Sequence, residues 1–287
     1  PSYKDPDTSE FYFAKDVDLR DGKAFSKETG KELIVKVEKM SKSKNNGIDP
    51  EHIIREYGAD TARLFTLFAS PPEKELEWNE NGLMGGYRFL NRVWRIVEEG
   101  KEYFEAGTPD MTKVSKEEKK LVIKLHQTIK KVTDSIEDNY HFNTAIAAVM
   151  ELINEMGDYR QNFLDKGIVG SESKKIWKNC VENLVLMVGP FTPHIADEMW
   201  QLLGNSGYVF NQKWPSYVEE MTKEDEINIA VQINGKLRDT VMLPSEMSKE
   251  DMEKAALALP KVQNALEGKE VVKIIIVPKR IVNIVVK

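Results

Sequence analysis

The sequence predicts a mainly α protein, in which a short β-rich leader precedes an α-helical bundle and a small α/β domain closes the chain. Three observations carry this. Across residues 80 to 204 apolar residues recur at spacings of three and four, as in Val122, Leu125, Ile129, Val132 and Ile136. Near residue 225 the period switches to two in "INIAVQI" and "KLRDTVML", which flank Asn234-Gly235, a strong hairpin signal. Residues 1 to 37 show no helical period; "FYFAKDVDL" alternates, and the turn-like "DGKAFSKETGKE" leads into "LIVKV".

The elements follow in order. After the leader, "EKMSKSKNNGIDP" (residues 38 to 50) reads as a pliable polar loop. Asp49 as N-cap and Pro50 as first helical residue start "EHIIREY", which ends at Gly58. Asp60 is expected to cap "TARLFTLFA", which stops at Ser70-Pro71-Pro72. In the bundle a second stripe, Ala145, Val149, Leu152, Met156 and Tyr159, follows Asn143 or Thr144 as the expected cap. A third, Ile176, Cys180, Leu184 and Met187, stops at Gly189-Pro190, and a short helix "HIADEMWQLL" ends at Gly204. Consecutive amphipathic helices with short connections make a bundle. "NQKWPSYVEEMTKEDE" then reads as a separating linker. Ser248 with Asp251 predicts a capped helix "KEDMEKAALAL", and "VVKIIIV" and "IVNIVV" predict two closing strands around Pro278-Lys279-Arg280.

Composition excludes several classes. The 287 residues carry a net charge of −6, so no global basic field draws in nucleic acid; a polyanion must find local Lys/Arg clusters. No apolar run approaches the roughly 20 residues of a membrane span, and no signal peptide opens the sequence. One cysteine, Cys180, makes neither an internal disulfide nor a cysteine-based metal cluster, and the reducing cytoplasm is the expected compartment.

Lys39, Lys42 and Lys44 fall within six positions of the polar loop. Lysines are compact charges on flexible stems, suited to following a polyphosphate as its charge redistributes. A solvated basic loop is the plain alternative for any Lys-rich pentamer. This pentamer, Lys39-Met40-Ser41-Lys42-Ser43, matches letter for letter the KMSKS signature of class I aminoacyl-tRNA synthetases. Its continuation "KNNGIDP" and then "YGADTARLFTLFASPPEKELEWNENGLMGGYRFLNRVW" resembles the leucyl-tRNA synthetases, as do "FTPHIADEMWQLLG" and "VQINGKLRDTV" further on. The resemblance covers nearly the whole chain from about residue 10, with the motifs in the family's order.

The resemblance implies a division into the end of the leucine-specific insertion (1–37), the KMSKS-bearing end of a class I catalytic domain (38–72), an anticodon-binding-type bundle (73–222) and a C-terminal α/β tRNA-binding domain (223–287). It implies a reaction, in which leucine and ATP, with Mg2+, give leucyl-adenylate and pyrophosphate, and the leucyl group passes to tRNA for leucine. Matched by position, Lys42 contacts ATP and stabilises the departing pyrophosphate, and Lys39 supports it electrostatically. Lys39, Met40, Ser41, Lys42 and Ser43 form the ATP-binding loop, with Ser41 and Ser43 keeping it polar and mobile. No structural metal is implied.

The second class I signature, His-x-Gly-His, is missing. The histidines are His52, His126, His141 and His194, and "PHIAD" around the last reads as a packed or capping histidine. The remaining half of the site and the editing domain are therefore expected on a larger partner chain, or on an upstream portion outside this sequence. Pro1 fits a start from which methionine was trimmed as well as it fits a simple boundary. The expectation is the smaller (beta) subunit of a split, heterodimeric leucine–tRNA ligase, inactive alone and without membrane contact. The alternative is a non-catalytic tRNA-binding module derived from a class I synthetase.

For tRNA, Arg88, Arg92 and Arg95 lie at i, i+4 and i+7 and share one helical face, while Leu90, Val93 and Val97 point toward the bundle. An arginine row fits a phosphate track; a solvated face paired with Glu98 and Glu99 is the alternative. In the last domain Lys236, Arg238, Lys279 and Arg280, with Lys273 and Lys287, give a positive bias suited to RNA read by shape and backbone. Trp78, Trp94, Trp177, Trp200 and Trp214 are expected in cores or domain junctions.

Overall fold

The alternating leader folds into five short strands, because each carries one small set of apolar residues that only pairing can cover. A computed structural model of the chain describes residues 1–224, 226–278 and 280–287. They divide into two units, residues 1–62 and 63–287, taken here one at a time.

In the first unit β1 (Ser2–Lys4), β2 (Phe11–Tyr12), β3 (Val17–Arg20), β4 (Lys23–Ser26) and β5 (Glu32–Lys36) form a sheet of order β2-β1-β5-β4-β3. All its pairings are antiparallel, with Tyr3 opposite both Tyr12 and Val35 and Ala24 opposite Leu33. Its core is small: Tyr3, Val17, Ala24 and Leu33. Asp5, buried beside it, accepts hydrogen bonds from the Asp7 and Thr8 amides at 2.7 and 3.0 Å. Those backbone bonds hold its carboxyl below the usual range. Helix α1 (Pro50–Tyr57) starts as expected, with Asp49 accepting from the Glu51 amide, and stops at Gly58, whose φ of 85° favours glycine. Helix α2 (Ala59–Phe68), which runs past the end of the first unit, begins two residues earlier than predicted. Asp60 therefore lies in its first turn, buried, and is not its cap.

In the second unit five helices make the bundle: α3 (Glu80–Gly100), α4 (Lys116–Asn139), α5 (Phe142–Tyr159), α6 (Ser171–Val188) and α7 (Pro193–Leu202). The three predicted stripes all enter one core, joined by Leu90, Val93 and Val97 of α3. Asn79 caps α3, accepting from the Asn81 and Gly82 amides. Ser115 and Glu118 make a reciprocal box at the start of α4. Glu118 reaches further, taking the Ser173 hydroxyl of α6 on its other oxygen, so one buried carboxylate ties two helix starts. Tyr159 lies against this pair, and burial pushes its phenol up to about 12. The expected cap of α5 is corrected: the helix opens at Phe142 after His141, with no side-chain cap, and Asn143 and Thr144 are inside it.

The predicted linker does not stand apart from the bundle. It lies along α4: Trp214 Nε1 donates to Thr133 Oγ1 (2.8 Å), the Val218 amide to His126 Nδ1 (3.2 Å), and Gln127 Nε2 to the Thr222 carbonyl (2.9 Å). Lys130 pairs with Glu219 at 2.7 Å, and Lys116 with Glu226 at 2.5 Å. The reason is stripe geometry: His126, Gln127, Lys130 and Thr133 recur at three and four on the outer side of α4, offering a polar row to a chain rich in partners for it.

The C-terminal segment contains β6 (Glu226–Ile233), β7 (Lys236–Pro244), α8 (Lys249–Leu257), α9 (Pro260–Leu266), β8 (Val271–Val277) and β9 (Ile281–Val286). The sheet order is β7-β6-β9-β8, with β6 and β9 parallel. Asn234 and Gly235, both at positive φ, turn the first hairpin as expected. Ser248 accepts from the Asp251 amide at the start of α8. The expected helix ends at Leu257, two residues short of the predicted stretch, and a further helix that the sequence reading did not anticipate starts at Pro260, whose missing amide hydrogen suits the N1 position. Met252, Ala256 and Val262 of the helices pack on Ile229, Val231, Val282 and Ile284 of the sheet.

Candidate functional site

The lysine loop is neither extended nor bare. Residues Lys42–Lys44 form a single 3-10 turn after Ser41, and Asn45 follows in the left-handed region at φ 49°, which asparagine tolerates. The Asn45 side-chain amide donates to the Phe11 carbonyl at 2.7 Å, fixing the turn to strand β2. Asn46 bridges the loop's two arms: its Oδ1 accepts from the Ser41 amide at 2.8 Å, and its Nδ2 donates to the Lys39 carbonyl at 3.4 Å. Ser41 Oγ and Ser43 Oγ share a hydrogen bond of 2.7 Å.

The three lysines are sorted by this geometry. Lys44 folds back onto Glu38, whose carboxylate also takes the Ser2 hydroxyl. The bond from Lys44, then that from Ser2, hold the Glu38 carboxyl below its ordinary value. Lys39 and Lys42 are exposed and, among the described residues, have no carboxylate partner. Two ammonium groups thus remain on offer to an anion, three residues apart on a turn of fixed shape. Met40, also on this loop, is 45% exposed.

On α3, Arg88, Arg92 and Arg95 are all exposed, while Leu90, Val93 and Val97 are buried. The partners weighed for the row are engaged elsewhere: Glu99 binds Arg160 at 2.6 Å, and Glu98 accepts from Trp94 Nε1 at 2.9 Å. Arg88 donates to the Met84 carbonyl and Arg92 to Asn154 Oδ1 (2.7 Å), both neutral acceptors. Among the described residues no carboxylate forms an ion pair with Arg88, Arg92 or Arg95. Lys236 and Arg238 sit exposed on β7 and Arg280 exposed beside β9, whereas Lys279 lies outside the described residues.

Among the described residues no group of three or more His, Cys, Asp or Glu side chains is placed to hold a metal ion. His194 is exposed in the first turn of α7, which corrects the expectation of a packed residue. His52 faces Glu56 and His141 faces Glu73. His126 is half-buried, which lowers its pKa, and it serves the strap along α4. Burial raises the Cys180 thiol to about 12, so it is inert packing rather than a nucleophile. Trp177 and Trp200 are core; Trp214, 39% exposed, belongs to the strap. Residue-type reasoning passed over Glu38, Asn45 and Asn46, although all lie in or beside the signature. The available signal was the amide pair directly after the turn-forming lysines, since asparagine bonds local backbone in tight turns. No helix among the described residues is long and apolar enough to cross a membrane.

A family model described as the anticodon-binding domain of tRNA ligase matches residues 118–253, and one described as tRNA synthetases class I (I, L, M and V) matches residues 28–79. The leucine–tRNA ligase of Fusobacterium nucleatum subsp. nucleatum is 53% identical over 100% of this chain and 33% of its own length. That of Acaryochloris marina is 41% identical over 99% of this chain and 32% of its own. The chain therefore spans about a third of the length of the curated relatives it matches. Among solved structures, Agrobacterium radiobacter K84 agnB2 LeuRS, in a ternary complex with tRNA and LeuAMS, matches with a TM-score of 0.66 and 30% identity, over 86% of this chain and 31% of that one.

Proposed function

Because the chain is homologous to the leucine–tRNA ligases along its whole length, we propose that it supplies the KMSKS loop and tRNA-facing parts of a leucyl-tRNA synthetase acting in the cytoplasm. The rest of the active site and the editing domain come from a larger partner chain that carries His-x-Gly-His. The observation that carries this reading is the sorted loop, with Lys39 and Lys42 exposed while Lys44 is held by Glu38.

In the proposed reaction the leucine carboxylate attacks the α-phosphate of ATP, bound with Mg2+ as substrate, and pyrophosphate leaves. Negative charge builds on the β- and γ-phosphates as the bond breaks. Preorganised cations aimed at that charge stabilise the transition state more than the ground state. Lys42, at the start of the 3-10 turn, is placed for the departing group, with Lys39 reinforcing the field from the arm before it. Met40, Ser41 and Ser43 complete the ATP-facing loop. We assign residues 1–37, 38–72, 73–222 and 223–287 to the end of the leucine-specific insertion, the end of the catalytic domain, the anticodon-binding-type bundle and the C-terminal tRNA-binding domain.

The isolated chain is expected to give no leucine-dependent ATP–pyrophosphate exchange and to gain it on mixing with a chain bearing the remaining two thirds of the fold. Exchange by the pure isolated chain would reject the partner requirement. Binding of tRNA without any exchange in the mixture would point to a non-catalytic binding module.

We place the tRNA backbone along Arg88, Arg92 and Arg95, with Lys236, Arg238, Lys279 and Arg280 as a second contact. Each lost phosphate contact lowers the salt slope of binding by about 1 in log–log form. Replacing Arg88 and Arg92 together by alanine should therefore flatten that slope by about 2 in a filter-binding titration. Because among the described residues both bond neutral acceptors and neither pairs with a carboxylate, an unchanged slope would remove the track from α3.

A further inference from the structure

We propose that Asn46 is a positioning residue that sets the angle between Lys39 and Lys42, acting through the Ser41 amide and the Lys39 carbonyl rather than by touching substrate. The proposal rests on the reading of the loop as an ATP-facing element. Lys39 and Lys42 stand on opposite sides of the bridge that Asn46 makes. Its Oδ1 takes the Ser41 N–H at 2.8 Å and its Nδ2 gives to the Lys39 C=O at 3.4 Å, so one planar group holds the arm leading into the turn at two points. Only a carboxamide offers an acceptor and a donor side by side at that reach; aspartate keeps the acceptor alone, and alanine keeps neither.

The rest of the loop is arranged so that this bridge decides the remaining freedom. Asn45 is tethered to the Phe11 carbonyl and Lys44 to Glu38, which pins the far side of the turn to the first unit's sheet. Among the described residues 39 to 43, the Ser41–Ser43 hydroxyl bond is a further side-chain tie, and it leaves Lys39 and Met40 untouched. Without Asn46, no other side-chain hydrogen bond among the described residues holds Lys39 and Met40, and their arm relies on its chain neighbours. Reacting groups misplaced by about 1 Å can lose on the order of 100-fold in rate, so an arm held from one end is enough to matter.

The test uses Asn46→Ala, Asn46→Asp and, as a control for the loop's own role, Lys42→Ala. In the assembled two-chain enzyme, Asn46→Ala should lower kcat of ATP–pyrophosphate exchange by about tenfold, with the leucine KM unchanged and Asn46→Asp in between. On the full isolated chain, trypsin should cleave after Lys39 and Lys42 about fivefold faster in Asn46→Ala than in the parent, because cleavage follows the open population of the loop. Asn46→Ala with parental exchange and parental cleavage overturns the positioning role. Fast cleavage with parental exchange also overturns it, since the bridge would then order the loop without serving the lysines. If Lys42→Ala itself keeps full exchange, the ATP-facing reading fails, and the positioning role falls with it. A fall in exchange for Lys42→Ala together with parental rates for Asn46→Ala leaves the loop reading standing and sinks only Asn46.

Discussion

Replacing Lys42 by alanine should slow leucine-dependent ATP–pyrophosphate exchange in the assembled enzyme by about 100-fold, corresponding to about 3 kcal/mol of lost transition-state stabilisation. On the proposed reading the loss should fall on kcat, with the KM for leucine unchanged, because the ammonium would meet charge that appears only as pyrophosphate departs. The structure makes the prediction specific among three neighbouring lysines. Lys44 is committed to Glu38, so Lys44→Ala should cost several-fold less than Lys42→Ala. Lys39, exposed one arm away, should fall between them. Lys42→Arg should rescue poorly, because a planar guanidinium is a rigid fork where a compact charge on a flexible stem is wanted. Exchange in Lys42→Ala equal to the parent, measured at saturating ATP, would remove this lysine from the chemistry.

How far the sequence carried the fold depends on whether each signal was local. Asp49, Pro50 and Gly58 bound α1 correctly because capping is decided by side chains two or three residues from the backbone they serve. The stripes of α4, α5 and α6 entered one core because a 3.6-residue period is written within each helix. The parallel pairing of β6 with β9, some fifty residues apart, left no such trace; β6 read as one arm of a hairpin and β9 as a closing β-branched run, with nothing to join them. The linker failed for a similar reason. Trp214, Val218 and Glu219 look like loop residues until His126, Gln127 and Lys130 are seen recurring on the outer side of α4. At the lysine loop the charges were legible and their supports were not. Glu38 and Asn46 work through backbone groups and a neighbouring lysine, and a turn of this kind has no period to reveal it.

Trp177 on α6 should be the most costly single truncation in the bundle. The side chain is 0% exposed, and its Nε1 donates to the Gly100 carbonyl at the end of α3 at 3.0 Å. Trp177→Ala is expected to destabilise by about 3 to 5 kcal/mol, combining lost burial with the cavity left behind, as read from urea midpoints at constant slope. The same contact sets up a sharper test. A Cβ added at Gly100 would lie 2.7 Å from Trp177 Nε1 and 3.0 Å from Cζ2, too close without movement of a fully packed ring. Gly100 has ordinary helical geometry, φ −76° and ψ −19°, so in open space alanine there should stabilise by up to about 1 kcal/mol. The clash is expected to reverse that sign, making Gly100→Ala destabilising by about 2 kcal/mol in the parent chain. In a Trp177→Phe background the crowding atoms are gone, and Gly100→Ala should turn neutral or favourable. That change of sign between backgrounds belongs to touching residues and not to distant ones. A Gly100→Ala effect identical in both backgrounds would show that the ring does not press on the end of α3.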